Sequence, residues 1–322
     1  MSRYGQRMPP ATQIEDFDPR FFRPCFFPML RELGYETRVS LNNALGAEDP
    51  LATDMTVSLS VFDDDGRHLG TRLHIAELAP GEIVKLAIEP LLGEGFAIPD
   101  GGNLFGVLHV VPVDLAGQES VTVPTDRMMA HARSSDDFIE FRKADSRVVT
   151  GVAYQTGPMN DPRFGSTRTT VVQAPKVIVS EPVDTLFTLL NVSTSFDYDK
   201  PVRMDFQVLG PAGEQVVRSS VEVPAMTFRM VSITEVLEEA GRLEEFRAMG
   251  GVGTFMGLAK KGSLVPLSLT RNKNTGAIAC DHTLPPVYYV TTWGGEARLK
   301  GAERLEAALF PELAPTEAMV SA

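Results

Sequence analysis

Side chains that hold metals or make disulfides are scarce in this chain of 322 residues: two cysteines, Cys25 and Cys280, and five isolated histidines. With no Cys-x-x-Cys, the sequence argues against a structural zinc site and a disulfide framework. Cys25 and Cys280 read as free thiols in a reducing compartment, with a Cys25–Cys280 bridge as the alternative. No apolar run approaches about 18 residues, so no membrane-spanning helix is expected. The opening stretch "MSRYGQRMPPATQIEDFDPRFF" lacks the apolar core of a secretory signal, and the expected location is cytoplasmic. Basic runs stop at pairs such as Lys260-Lys261, and 30 basic against 42 acidic residues leave a net charge of -12. Such a field repels phosphate backbones and anionic lipid, which excludes nucleic acid and membrane insertion as expected partners.

What is present is β-structure. The length exceeds one ordinary domain, and 43% hydrophobic with 22% charged residues is the balance of a folded soluble chain. Period-two alternation marks Thr56–Phe62, Thr71–Ala76, Ile83–Ile88, Leu104–Val111 and Arg147–Tyr154 in the first half. In the second it marks Leu186–Val192, Val202–Leu209, Gln215–Val223, Phe228–Ile233 and Leu264–Leu269. Strands at this spacing, divided by turn residues, predict an all-β fold of antiparallel sandwiches, immunoglobulin-like or jelly-roll-like. Helical spacing occurs at Glu235–Met249 and, amphipathically, at Glu296–Phe310.

The two halves repeat one another. Val57, Leu59, Val61 and Gly66 fall on Met204, Phe206, Val208 and Gly213. Pro80 falls on Pro224, and Leu86, Ile88 and Leu92 fall on Val231, Ile233 and Leu237. Upstream, "RVSLNNA" matches "FTLLNVS", with Asn42 over Asn191. Offsets change only at loops, where length is cheaply absorbed. The expected organisation is an arm over 1–19, one copy over 20–174, a second over 175–292, and a C-terminal helix and tail over 293–322.

The repeat decides how Asp63-Asp64-Asp65-Gly66 is read. The second copy has Gly-Pro-Ala-Gly there, which keeps the turn glycine and loses every carboxylate. A calcium loop also needs spaced ligands and a late glutamate, absent from "RHLGTR", so the aspartates are a solvated turn and no metal is expected. His74 and His109 alternate with apolar neighbours and are expected on a surface face. In "ACDHT", Cys280 and His282 share a strand face, a conceivable nucleophilic pair, though the first copy has no counterpart. "GGVGTFMG" has neither the spacing nor the strand-to-helix order of a dinucleotide loop and reads as a helix stop.

The segments "SLSVFDDDGRHLG…AELAPGEIVKLAIEPLL" and "DFQVLGPAGEQVV…VEVPAMTFRMVSITEVL" resemble bacterial immunoglobulin-like sandwich modules, including those similar to the sensory-rhodopsin transducer family. That resemblance covers the central strands of each copy and implies a binding or assembly module rather than an enzyme. It carries over no functional residue.

Candidate ligand-binding residues sit in the loop after the first strand of each copy: Glu48 and Asp49, then Phe196, Asp197, Tyr198 and Asp199. Loops at one end of a sandwich commonly bind ligands, although acidic loops are also ordinary solvated turns. Candidate partner-binding residues are Tyr288, Trp293, Leu299, Leu305 and Leu309, on a terminal helix that would either cap its own sandwich or dock on a second subunit. The expected function is structural or partner-binding, through self-association or a protein partner, without catalysis or cofactor. The alternative is a carbohydrate-binding or carbohydrate-active protein using the acidic and aromatic loop residues.

Overall fold

In the computed structural model, the described residues are 13–134, 137–144, 146–154, 160, 169–259, 262–281, 287–289 and 307. They fall into two units, the first running to Tyr154 and including Thr194–Asp197, the second holding the rest. Each unit is a β-sandwich, as the alternation predicts.

The first unit carries β1 (Arg23–Met29), β2 (Tyr35–Asn42), β3 (Met55–Phe62), β4 (His68–Leu78), β5 (Ile83–Ala87), β6 (Leu104–Pro112), β7 (Asp137–Lys143) and β8 (Val149–Tyr154). Its sheets run β1-β6-β3-β4 and β8-β7-β2-β5. The second unit carries β9 (Thr169–Ile178), β10 (Val183–Asn191), β11 (Val202–Leu209), β12 (Gln215–Val223), β13 (Thr227–Ser232), β14 (Val252–Ala259), β15 (Val265–Asn272) and β16 (Ile278–Asp281). Its sheets run β9-β14-β11-β12 and β16-β15-β10-β13, with Val287–Tyr289 added outside β9. Strand for strand the two orders are the same, and every pairing is antiparallel. Strand β9 spans the expected boundary at 174/175 and lies wholly in the second unit.

The turn comparison holds atom for atom. The Asp63 amide donates to the Arg67 carbonyl and the Gly66 amide to the Asp63 carbonyl, both at 3.0 Å. The Gly210 amide donates to Glu214 at 2.8 Å and the Gly213 amide to Gly210 at 3.0 Å. Gly66 and Gly213 take φ of 79° and 85°, a region that favours glycine. Asp63 spends its oxygens on this turn. Oδ1 accepts from the amides of Asp65 and Arg67, and Oδ2 meets Arg67 Nε at 2.8 Å.

The cores show the same plan repacked. Leu59 and Phe206 are both buried, each in the third-strand position of its copy. In the first copy Phe27 lies opposite Gly106, and in the second Ala174 lies opposite Phe255. The large and small residues have exchanged strands. A Cβ at Gly106 would come within 2.3 Å of the Phe27 ring, so the glycine is what admits that ring. In the second copy Phe255 fills the same layer, with Phe187 at 4.2 Å and Phe206 at 5.0 Å between ring centroids. Volume is conserved while its source changes, as close packing requires.

Two expectations need correction. The asparagine equivalent to Asn191 is Asn43, one residue beyond Asn42. Asn43 Nδ2 donates to the carbonyls of Thr53 and Leu78, and Asn191 Nδ2 donates to those of Lys200 and Val223. In each copy these are the residue two before the third strand and the last residue of the fourth. The helix expected over Glu235–Met249 is two helices, α1 (Ile233–Glu239) and α2 (Leu243–Ala248), parted at Gly241 with φ of 66°. Ser232 Oγ caps α1 by accepting from the Glu235 amide at 3.2 Å. Leu237 and Phe246 still reach the core, so the apolar stripe was right and its continuity was not. After α2, Gly250 and Gly251 take positive φ and the chain enters β14, as the helix-stop reading expects. The expected C-terminal helix lies outside the described residues.

Candidate functional site

The outer face of sheet β1-β6-β3-β4 brings His68 and His109 together with Phe21, Phe62 and Phe196. Alternation sends Leu59, Val61 and Leu108 inward, which leaves Ser60, Phe62 and His109 on the opposite face. That face is not open. The short turn Pro19–Phe21 and the segment Thr194–Asp197 both belong to this unit, and they bring Phe21 and Phe196 against His109 at 5.5 and 5.4 Å. His109 is therefore 1% exposed, not the surface residue its alternation suggests.

A polar chain runs beneath these rings. His109 Nδ1 lies 2.9 Å from the Arg20 carbonyl, which can only accept, so Nδ1 carries the hydrogen and Nε2 is left as an acceptor. Ser60 Oγ donates to that Nε2 at 2.9 Å. Thr71 Oγ1 in turn donates to Ser60 at 2.8 Å, and His68 Nε2 donates to Thr71 at 2.9 Å. Each direction is forced by the one before it. Burial holds the His109 pKa down, from 6.5 to about 4, with the Arg20 carbonyl only partly offsetting it. His68 is lowered for the same reason, with the Arg20 charge adding to it.

A serine donating to a histidine nitrogen is the geometry of a nucleophile and its base. Here Ser60 is fully buried beneath the cluster, and its hydroxyl is committed at both ends. The arrangement acts as a structural network. It carries a pH signature whose sign follows from the burial. The unfolded chain titrates His109 near 6.5 and the folded chain near 4, so below 6.5 the unfolded state binds the extra proton. Stability from this group is full above pH 6.5, falls by about 3 kcal/mol as pH drops to 4, and is flat below. Urea unfolding of the native chain and of His109→Gln across this window reads the effect. The variant should lose most of the slope, and an equal slope in both would contradict the buried neutral imidazole.

The candidate ligand residues do not converge. Phe196 is packed by Phe21, Phe62, His68 and His109, at centroid distances of 5.0 to 5.8 Å. The Arg20 guanidinium lies 4.4 Å from its centroid, and Asp18 holds that guanidinium through both carboxylate oxygens. The ring is partly buried by these contacts and anchors its segment. Phe62 ends β3, whereas Glu48 and Asp49 lie in the loop leading into its start. Asp49 Oδ1 accepts from the Leu51 amide at 2.8 Å, and His131 Nε2 donates to the Leu51 carbonyl at 3.1 Å, so this loop is a pinned turn. Asp197 and Asp199 are exposed. Tyr198 bonds the Asn191 side chain, and burial raises its phenol pKa. Tyr288 sits in a short strand opposite Thr170 of β9. Trp293, Leu299, Leu305, Leu309 and His282 lie outside the described residues.

Cys25 and Cys280 are not bridged to each other, and Cys25 is buried while Cys280 is partly so. Burial pushes the Cys25 thiol well above its usual range, and the nearby Asp137 charge adds to this. Among the described residues, no three His, Cys, Asp or Glu side chains are placed to hold a metal ion. Among them also, no helix is long and apolar enough to cross a membrane.

No protein-family model and no curated protein matches the sequence. Among solved structures, the chain is similar to a glycosyl hydrolase family 2 member from Bacteroides cellulosilyticus, at 11% identity and a TM-score of 0.17, covering 82% of this chain and 25% of that one. It is also similar to Bacteroides uniformis β-glucuronidase 2 bound covalently to cyclophellitol-6-carboxylate aziridine, at 12% identity and a TM-score of 0.16, again covering 82% and 25%. The chain thus spans about a quarter of the length of these enzymes, and at such scores the likeness carries no argument about activity.

Proposed function

We propose that the protein is a non-enzymatic structural or partner-binding protein that works through the surfaces of its two sandwiches and self-associates. The observation that supports this is where the exposed apolar side chains lie. Ile83, Phe138 and Val149 project from one sheet of the first sandwich, at 71%, 38% and 50% exposure, while Ser60 and the His109 it bonds are buried. Apolar side chains set among charges on one sheet face give the mixed composition of an interaction surface. The carbohydrate alternative retains Asp197, Tyr198 and Asp199, without the aromatic platform that Phe196 would have supplied. Light scattering on the purified chain beside a glycan panel separates the readings. The proposal expects a mass that is a multiple of 35.1 kDa and no retained glycan. A 35.1 kDa species that binds a sugar would reverse it.

A further inference from the structure

We infer that the outer face of sheet β8-β7-β2-β5 is the surface on which two copies of this chain meet, face to face about a two-fold axis. This rests on the self-association reading above and adds to it the surface and the partner. Strand register lays out the face. Arg142 stands between Val149 and Glu36, and Glu140 stands between Gly151 and Arg38. In the next rows Phe138 pairs with Ser40, Ser40 with Lys85, and Asn42 with Ile83.

Charge therefore alternates in both directions. Along both β2 and β7 glutamate is followed by arginine, and because the strands are antiparallel each acid is opposite a base. Lys85 also pairs with Glu140. A two-fold interface places the same patch on both sides, so a surface that meets itself must be its own electrostatic complement. A patch of one sign cannot do this, and a checkerboard can. The net charge of -12 makes two copies repel wherever acidic surface faces acidic surface. This face carries three bases, Arg38, Lys85 and Arg142, against two acids, Glu36 and Glu140.

The apolar residues lie among these charges. A Cβ at Gly151 would come within 2.7 Å of the Phe138 ring, so the glycine lets that ring lie against β8 with its other side outward. Ile83 stands on the edge strand β5. In the second sandwich the position equivalent to Ile83 is Phe228, which is buried, and Leu186, Leu190, Leu267 and Leu269 on the same face are buried with it. The duplicated sheet is thus one whose outer face can be built for packing. In the first copy that face is mixed in polarity, the composition of an interface between soluble partners rather than of an interior.

Sedimentation velocity over a concentration series tests this with three proteins. One carries Arg38→Glu and Arg142→Glu, which makes the face acidic. Another carries Glu36→Lys and Glu140→Lys, which makes it basic. The third carries Ile83→Arg with Phe138→Glu. Native chain should dimerise, each variant alone should dimerise at least about tenfold more weakly, and the acidic and basic variants mixed should recover the dimer. Recovery on mixing is a result that misfolding would not produce. A native dimer that all three variants leave unchanged would overturn the face while leaving self-association standing. A native chain that stays monomeric would overturn both.

Discussion

Replacing Asp137 with alanine is expected to cost the first sandwich about 3–5 kcal/mol. Asp137 opens β7 and meets Arg23 of β1, with Arg23 Nη2 donating to Oδ1 at 2.9 Å, so the pair ties one sheet of the sandwich to the other. Both side chains are almost fully buried, and the second guanidinium nitrogen donates to the Asn42 carbonyl. Removing the carboxylate strands a cation where water cannot solvate it, which is why the loss exceeds that of an ordinary hydrogen bond. The same reasoning fixes the control. Arg23→Met with Asp137→Leu removes both charges and should recover most of the loss, because a buried ion pair seldom outweighs its own desolvation. The second sandwich supports that control. Thr170 stands where Arg23 does and Pro266 where Asp137 does, with Thr170 Oγ1 donating to the Gly262 carbonyl at 3.0 Å. The fold closes there without any charge. Urea denaturation of the single and double variants measures both effects, and a double variant as unstable as Asp137→Ala would contradict the account.

The other large effect is in the second core. Phe206→Ala is expected to cost about 3–5 kcal/mol, because the ring is buried and stacked on Phe255 at 5.0 Å, with Phe187 on from there at 4.2 Å. Three rings in one layer cannot close over the space that one of them leaves. Phe206→Leu installs the side chain that the first copy uses at Leu59, and it should cost clearly less. Equal losses from the leucine and alanine variants would show that the layer is not the volume-matched equivalent of the first copy's.

How much of this was legible follows from the range of each signal. The strands and the hairpin tips were readable because alternation and a turn glycine are local, and the second copy repeated them at Gly213. Asn42 and Asn43 are adjacent, and alternation alone does not say which one turns inward. His109 looked like a surface residue because what buries it, Phe21 and Phe196, comes from segments remote in sequence. The Arg23–Asp137 pair was invisible for the same reason. The split at Gly241 was legible in principle, since a glycine between two apolar half-faces is a helix-stop signal. What the sequence did not reveal is that Phe196 already has its partners.

The chain is one sandwich design used twice, and the buried asparagines Asn43 and Asn191 are the device its two copies share. Equilibrium unfolding of Asn43→Ala and of Asn191→Ala tests it directly. Each variant removes two donated hydrogen bonds, one buried and one part-buried, so each should cost about 2–3 kcal/mol. Asn191→Ala should cost somewhat more, since its Oδ1 also accepts from Asn160 Nδ2 at 2.8 Å. Substituting Asn42 instead should leave its own copy nearly as stable as before. A large loss at Asn42 with none at Asn43 would contradict the shared design.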